Sequence, residues 1–329
     1  MNKKILVTGG TGFVGANLVR ALLRRGEDVT IFSKAKAHPL LKGLGVRIIE
    51  GDVRDVKAVE KALSGKEYVY HLAASSVNTK QKKQEIFDVN VGGTKNVLDA
   101  ALKVRVKKVV YVSSAATLGF STKVKPLGEK EIIDFKDNLY AQSKKLAEGR
   151  VKDFITMGGN ASIALPGFVI GAGEIDPARY GLWGSISRNR IKFTYPGGSG
   201  VVAVKDLVNG LILVMEKGKM GERYTLSSGY VSLYEFYNLI AEVMGKKPIR
   251  WKIPRAMYAP MYVLGSVLEK ILKNPPLTRE AVRWHFNYKW VDGSKAKKEL
   301  GWAPKVSLKE AVQETLSYYN DQGILKVKV

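Results

Sequence analysis

Residues 8–15 read Thr-Gly-Gly-Thr-Gly-Phe-Val-Gly, with Gly9, Gly12 and Gly15 each separated by two residues. Before this stretch, Ile5-Leu6-Val7 is an unalternating apolar run, as expected of a strand buried on both faces of a parallel sheet. After it, Val14, Leu18, Val19, Leu22 and Leu23 recur at helical spacing, and Gly26 ends the pattern. A glycine turn between strand and helix lets backbone N–H groups approach a pyrophosphate, and the helix amino end then faces its negative charge. The rival reading is a glycine-rich turn with no ligand. The flanking strand and amphipathic helix favour the dinucleotide.

Outward from that stretch the alternation continues. Strands are expected at 29–32, 46–49, 68–72, 108–113 and 161–165, with helices at 87–102 and from Tyr140 to about Phe154. This pattern is that of an α/β fold, a doubly wound parallel Rossmann sheet. Later segments read as a strand at 201–204, a helix at 206–217, a strand at 223–226 and a helix at 233–244, with another helix after the Pro275-Pro276 turn. The expected division is a dinucleotide domain of residues 1–166 plus about 201–228. A smaller, discontinuous α/β substrate domain takes 167–200 plus about 229–329.

Just past the second strand, Ser33-Lys34-Ala35-Lys36 stands where an NAD site usually has a carboxylate for the ribose hydroxyls. Lys34 and Lys36 can instead neutralise a 2′-phosphate, with Ser33 donating to it, so the expected cofactor is NADP, with NAD as the alternative. Solvated lysines are the competing reading. Asp52 follows the third strand, where a carboxylate can accept from an adenine amino group.

Tyr140 and Lys144 lie four residues apart, on one helical face. A free phenol, with a pKa near ~10, is a poor base at neutral pH. A neighbouring ammonium favours the phenolate, which can take a proton from an alcohol or return one to a carbonyl. Ser113 and Ser114 end the fifth strand at the carboxyl edge, where α/β sheets bind ligands. A hydroxyl there can stabilise charge on a substrate oxygen or cap the following turn.

Bulk composition narrows the classes. The chain has 329 residues, 45% apolar and 26% charged, with a net charge of +24. Basic residues are scattered in pairs such as Lys82-Lys83, Lys107-Lys108 and Lys246-Lys247, which argues against one nucleic-acid groove. The absence of cysteine excludes disulfides, thiolate metal sites and cysteine nucleophiles. The three histidines form no ligand pattern, so no metal is expected. Without an apolar signal segment or an ~18-residue apolar span, the expected location is cytoplasmic. Residues 257–272, rich in Met, Tyr, Val and Leu, read as a lid over an apolar substrate, a helix lying on a membrane surface, or a core helix. Pro260 and Gly265 argue against one straight helix there.

Together, TGGTGFVG, Gly51-Asp52, His71-Leu72-Ala73-Ala74, Asn90, Ser113-Ser114, Tyr140-xxx-Lys144 and Pro166-Gly167 resemble the extended short-chain dehydrogenase/reductases. The resemblance implies a catalytic set of Ser114, Tyr140 and Lys144. It further implies a cofactor lined by Gly9, Thr11, Gly12, Phe13, Val14, Gly15, Ser33, Lys34, Asp52, Val53, Leu72, Ala73, Ala74, Asn90, Ser113, Tyr140, Lys144, Pro166, Gly167 and Val169. A homodimer through helices of the Rossmann half is implied too.

The carboxyl half, at 202–207, 276–278 and 294–302, is similar to the branch of 3β-hydroxysteroid dehydrogenases and dihydroflavonol 4-reductases. That branch implies hydride exchange between a secondary alcohol and NAD(P) on an apolar small-molecule substrate. Ala115-Ala116 stand where sugar dehydratases carry an acid pair, so water elimination is unsupported. Simple 4-epimerisation of a nucleotide sugar with retained NAD is the alternative. A non-catalytic sensor or RNA binder is disfavoured by the complete Ser, Tyr, Lys set.

Overall fold

The computed structural model describes residues 2–76, 83–122, 124–131, 138–273 and 275–326. Lys82 of one basic pair lies outside them. Seven parallel strands form the main sheet: β1 (Lys4–Thr8), β2 (Asp28–Ser33), β3 (Arg47–Glu50), β4 (Tyr68–His71), β5 (Lys108–Val112) and β6 (Ala161–Pro166), with one further strand from the carboxyl half. Alternate residues of β1 feed opposite layers. Ile5 and Val7 join one core, whereas Leu6 joins the other. That two-sided burial is why the strand reads as a continuous apolar run.

Helix α1 (Phe13–Arg24) covers the first face, and α2 (Val56–Leu63) covers the second. The expected helix at 87–102 is longer and is interrupted. It comprises α3 (Lys83–Phe87), one π-helical turn (Asp88–Gly92) and α4 (Gly93–Lys103). Helix α5 (Leu139–Thr156) follows β5 and joins α4 on the second face. Its amino end is capped by Asn138, whose side chain accepts from the Ala141 N–H at 2.6 Å.

The chain then weaves between two sheets. Strand β7 (Phe168–Ile170), helix α6 (Pro177–Ser187) and the short strand β8 (Phe193–Thr194) precede β9 (Gly198–Ala203). Helix α7 (Val204–Lys217) returns to the first face, and β10 (Arg223–Leu226) closes the edge of the main sheet beside β6. The main-sheet order is β10-β6-β5-β4-β1-β2-β3. Strand β9 pairs with β7, β11 (Gly229–Ser232) and β13 (Tyr288–Lys289) in a second sheet. The chain leaves the second sheet after Ala203, the last residue of β9.

The small region also holds α8 (Leu233–Val243), β12 (Trp251–Lys252) against β8, α9 (Tyr258–Ile271), α10 (Arg279–Phe286), α11 (Ser294–Leu300) and α12 (Leu308–Asp321). Helix α9 is continuous, contrary to the expected interruption. Pro260 falls in its first turn, where a missing N–H costs nothing, and Gly265 lies against the backbone of Thr278 and Arg279.

Candidate active site

Strand order reverses direction on either side of β1, between β2 and β4. This is the point at which doubly wound sheets bind ligands at the carboxyl ends of their strands. The glycine turn sits there. Gly9 adopts φ +69°, and a Cβ on it would lie 2.8 Å from the Ala73 nitrogen after β4. A Cβ on Gly15 would lie 2.2 Å from the Gly9 carbonyl oxygen, so this glycine lets α1 press against the turn. Gly12 differs: its Cβ would meet only that oxygen, at 3.3 Å. Apart from that oxygen nothing lies within 4 Å of a Cβ on Gly12, at the amino end of α1, and the first turn of α1 carries no acidic residue. These features fit a pyrophosphate. Phe13 and Val14 begin α1 beside it.

At the end of β2, the Thr11 and Ser33 hydroxyls lie 2.5 Å apart, tying the glycine turn to that strand. Lys34 pairs with Asp52 at 3.1 Å, and Lys36 pairs with Glu50 at 3.1 Å. Arg54, not singled out in the sequence, donates twice to Asp52, from Nε at 3.0 Å and from a terminal nitrogen at 2.6 Å. These hydrogen bonds, with the weaker help of Lys34, hold the Asp52 carboxyl well below the usual carboxylate range. A basic residue two positions after the Gly-Asp pair was the available signal for Arg54. Val53 is buried, and Gly93 of α4 lies tight against it.

The chemical end gathers on β5, β4 and α5. Lys144 is buried, and its Nζ donates to the Val112 carbonyl at 2.7 Å, at the end of β5. The same ammonium stands 4.5 Å from the Tyr111 ring centroid. Burial lowers the Lys144 pKa to about 7, against the opposing pull of Glu148. Tyr140 is half-buried in the first turn of α5, one turn before Lys144. Ser114 caps the short 3₁₀ turn Ala115–Thr117, its Oγ accepting from the Ala116 N–H at 3.2 Å. The hydroxyl proton of Ser114 is not consumed by that bond. Ser113 points elsewhere: its buried hydroxyl donates to Glu148 at 2.7 Å, and Glu148 also pairs with Arg223 of β10 at 3.2 Å. The neighbouring serines thus divide the work, one toward the interior and one at the strand end. Pro166 ends β6, and a Cβ on Gly167 would lie 2.8 Å from the Gly200 oxygen, which brings β6 and β9 together there. Val169 is buried in β7.

A hydrogen-bond chain joins these parts. Thr94 Oγ1 donates to the Asn90 carbonyl at 2.6 Å, so it can only accept from His71 Nε2, 2.9 Å away. His71 Nδ1 then accepts from Thr8 Oγ1 at 2.6 Å, and Thr8 in turn accepts from the Ala73 N–H at 3.2 Å. Burial, with Lys144 nearby, lowers the His71 pKa to about 3, which keeps the ring neutral. In the π turn, the Asn90 side chain accepts from the Ser75 N–H at 2.7 Å and donates to the Ser75 carbonyl at 2.9 Å. It also donates to the Ser143 hydroxyl at 2.8 Å, which donates to the Tyr140 carbonyl at 2.8 Å. Leu72, Ala73 and Ala74 are strung between the two anchors, His71 and Ser75. The sequence flagged His71 only as part of a motif and Asn90 as a residue lining the cofactor; the partners Thr8 and Ser143 lie 63 and 53 positions away from them.

Residues 5–227 match the NAD dependent epimerase/dehydratase family. The chain belongs to that family. Relatives span its whole length. It is 30% identical to sterol demethylase protein B of Methylococcus capsulatus, over 97% of this chain and 99% of that one. It is 29% identical to the 3 beta-hydroxysteroid dehydrogenase/Delta 5-->4-isomerase of Mycobacterium tuberculosis, over 96% and 90%. Among solved structures, gox2253 superimposes with a TM-score of 0.88 at 28% identity, covering 99% of this chain and all of that one. The UDP-glucose 4-epimerase of Thermotoga maritima reaches 0.79 at 24% identity, which shows a shared fold. Within the epimerase/dehydratase family, the chain is an enzyme of the extended short-chain dehydrogenase/reductase type.

Proposed function

We propose that the chain interconverts a secondary alcohol and a ketone on an apolar, polycyclic or long-chain substrate, using NADP(H). One observation carries the reaction type: a desolvated lysine one turn below a half-buried tyrosine, beside a strand-end serine with a free hydroxyl proton. The bound dinucleotide, held by Gly9, Thr11, Gly12 and Gly15, supplies the hydride donor or acceptor. Tyr140 carries the proton to or from the substrate oxygen. Lys144, in its charged form, lowers the cost of the phenolate. Ser114 donates to the substrate oxygen and steadies the charge that develops there. Asn90 and His71 position these groups and touch no substrate.

Two features support an apolar substrate. Relatives named for sterols and hydroxysteroids cover nearly the full chain. The loop leaving Ser114 also ends against rings: Phe120 meets Trp284 edge-on at 6.3 Å, and Ser121 is hydrogen-bonded to the backbone of Tyr288 and Trp290. Flat apolar side chains suit a polycyclic or long-chain body better than a sugar. NADP is supported by Ser33, Lys34, Lys36 and Arg54 around the end of β2, three cations against the carboxylates Asp52 and Glu50. The pairing of strands in two sheets supports a division into a Rossmann part, residues 1–166 plus about 201–228, and a smaller substrate part.

The test follows nicotinamide absorbance with steroid and long-chain ketones, in NADPH and NADH, for the native enzyme and Tyr140→Phe. Proton transfer by a side chain is worth ~10²–10⁴-fold, so turnover should fall by at least about 100-fold with cofactor affinity kept. Equal turnover by both would remove Tyr140 from the reaction. Inversion of a nucleotide sugar without net redox change would favour the epimerase alternative.

A further inference from the structure

Helix α9 is amphipathic the wrong way round. Pro260, Val263, Leu264, Val267 and Ile271 recur at i, i+3, i+4, i+7 and i+11, and every one of them is exposed. Ile271 is 70% exposed and Val263 is 61% exposed. The opposite face, turned toward the protein, carries Tyr258, Tyr262, Gly265 and Glu269. Tyr258 lies against Phe286 of α10, and Glu269 pairs with Arg279 at 2.7 Å. A helix that shows its apolar stripe to water and its carboxylate to the fold needs a partner for that stripe.

The neighbouring surface extends the patch. Trp251 of β12 is 74% exposed and lies in register with the exposed Phe193 of β8. Tyr195 contacts both Phe193 and Phe286, so β8 and α9 share one side of the small region. The segments that carry β8, β12 and α9 are strongly cationic in sequence. From Lys246 to Leu268 the chain has five basic residues and no acidic one, and no acidic residue lies between Asp176 and Asp206, which bracket Arg188, Arg190 and Lys192. Lys270 and Lys273 flank the far end of α9 and are exposed.

We propose that this face docks on the surface of an anionic lipid bilayer, with the stripe of α9 and the Trp251–Phe193 pair entering the headgroup layer. Charge complementarity selects that occupant: exposed lysines and arginines flanking in sequence an apolar stripe and an exposed tryptophan match anionic headgroups over acyl chains. No described helix is long and apolar enough to cross a membrane, so the contact is a resting one. Helix α10, directly beneath α9, carries Trp284 against Phe120 of the Ser114 loop. A lipophilic substrate leaving the bilayer would thus enter beside the aromatic wall. The docking itself does not depend on the reaction assigned above.

Cosedimentation of the full-length chain with phosphatidylglycerol–phosphatidylcholine vesicles at physiological salt tests this. The native protein should pellet with those vesicles and remain in solution with phosphatidylcholine alone. Val267→Asp combined with Ile271→Asp should weaken pelleting by about tenfold or more, while dinucleotide fluorescence titration shows the fold intact. Trp251→Phe should remove a vesicle-induced blue shift of tryptophan emission. Failure of the native protein to pellet, or equal pelleting by the double variant, would overturn the proposal. Loss of self-association in the double variant, with no vesicle binding by either protein, would overturn it in favour of a second copy. Ketone turnover that fails while vesicle binding holds would sink the enzymatic reading alone.

Discussion

At His71 the structure uses an imidazole as a fixed connector rather than a titrating group. One ring nitrogen accepts and the other donates, and both partners are buried threonine hydroxyls. The link sets β4 beside β1 and holds the π turn that carries Asn90. Replacing the ring by leucine keeps the volume roughly but leaves Thr8 and Thr94 without it. A buried polar group deprived of its partner costs about 1–3 kcal/mol, so His71→Leu should lower the urea midpoint by that amount of stability. Turnover should fall with it, since Ser143 and Tyr140 hang on the same chain. A variant with unchanged midpoint and activity would mean that the threonines find other partners. His71 stood in the sequence as one letter of a motif. Its role was not legible, because it depends on two hydroxyls brought from distant strands and helices.

Elements were far more legible than their contacts. The order of β1 to β6 and the helices α1, α4 and α5 could be read from apolar runs and periodicity, since strands buried on both faces and helices buried on one leave direct marks, whereas the eight-residue α2 was missed. Strands β8, β12 and β13 are two residues each, too short for any period to show. The π turn at 88–92 was equally silent, because an added residue per turn alters hydrogen bonding more than pattern. The glycine turn offers a test at this scale, because its glycines act differently. Gly15→Ala would drive a Cβ into the Gly9 carbonyl, so α1 must shift. That variant should lose about 1–3 kcal/mol in thermal or urea unfolding and also bind dinucleotide poorly. Gly12→Ala places its Cβ 3.3 Å from the Gly9 oxygen, a far milder contact than at Gly15, with no other atom close. It should unfold within about 0.5 kcal/mol of the native protein yet lose dinucleotide affinity, read by nicotinamide fluorescence. Equal affinity in Gly12→Ala and the native protein would move the pyrophosphate elsewhere.

Over the whole molecule, buried titratable groups set the pH range in which the fold is strongest. Burial lowers the pKa of His38, His71 and His285, with backbone hydrogen bonds opposing it at His38 and His285. Unfolded histidines take up protons near pH ~6.5 that the folded chain refuses, so stability falls as pH drops below that value. Lys144 and Lys289 are both lowered to about 7 by burial. Between pH 7 and ~10.4 the unfolded chain holds protons that these two have released, so stability rises with pH across that window. Below it, both ammoniums are charged in either state and the full cost of burying them is felt. Tyrosines set the upper limit: burial pushes Tyr237 up to about 12 and raises Tyr70 and Tyr111 as well. Unfolded phenols ionise near pH ~10, so stability falls again above that point. The ligand-free enzyme should therefore show its highest melting temperature between about pH 8 and 10 when scanned at constant ionic strength. Lys289→Met, which removes one buried ammonium far in sequence from Tyr140, should raise the melting temperature at pH 6 and flatten the climb from pH 7 to 9. A maximum at or below pH 6 in the native protein would mean that water reaches these groups and that the lysine beside Tyr140 is not desolvated.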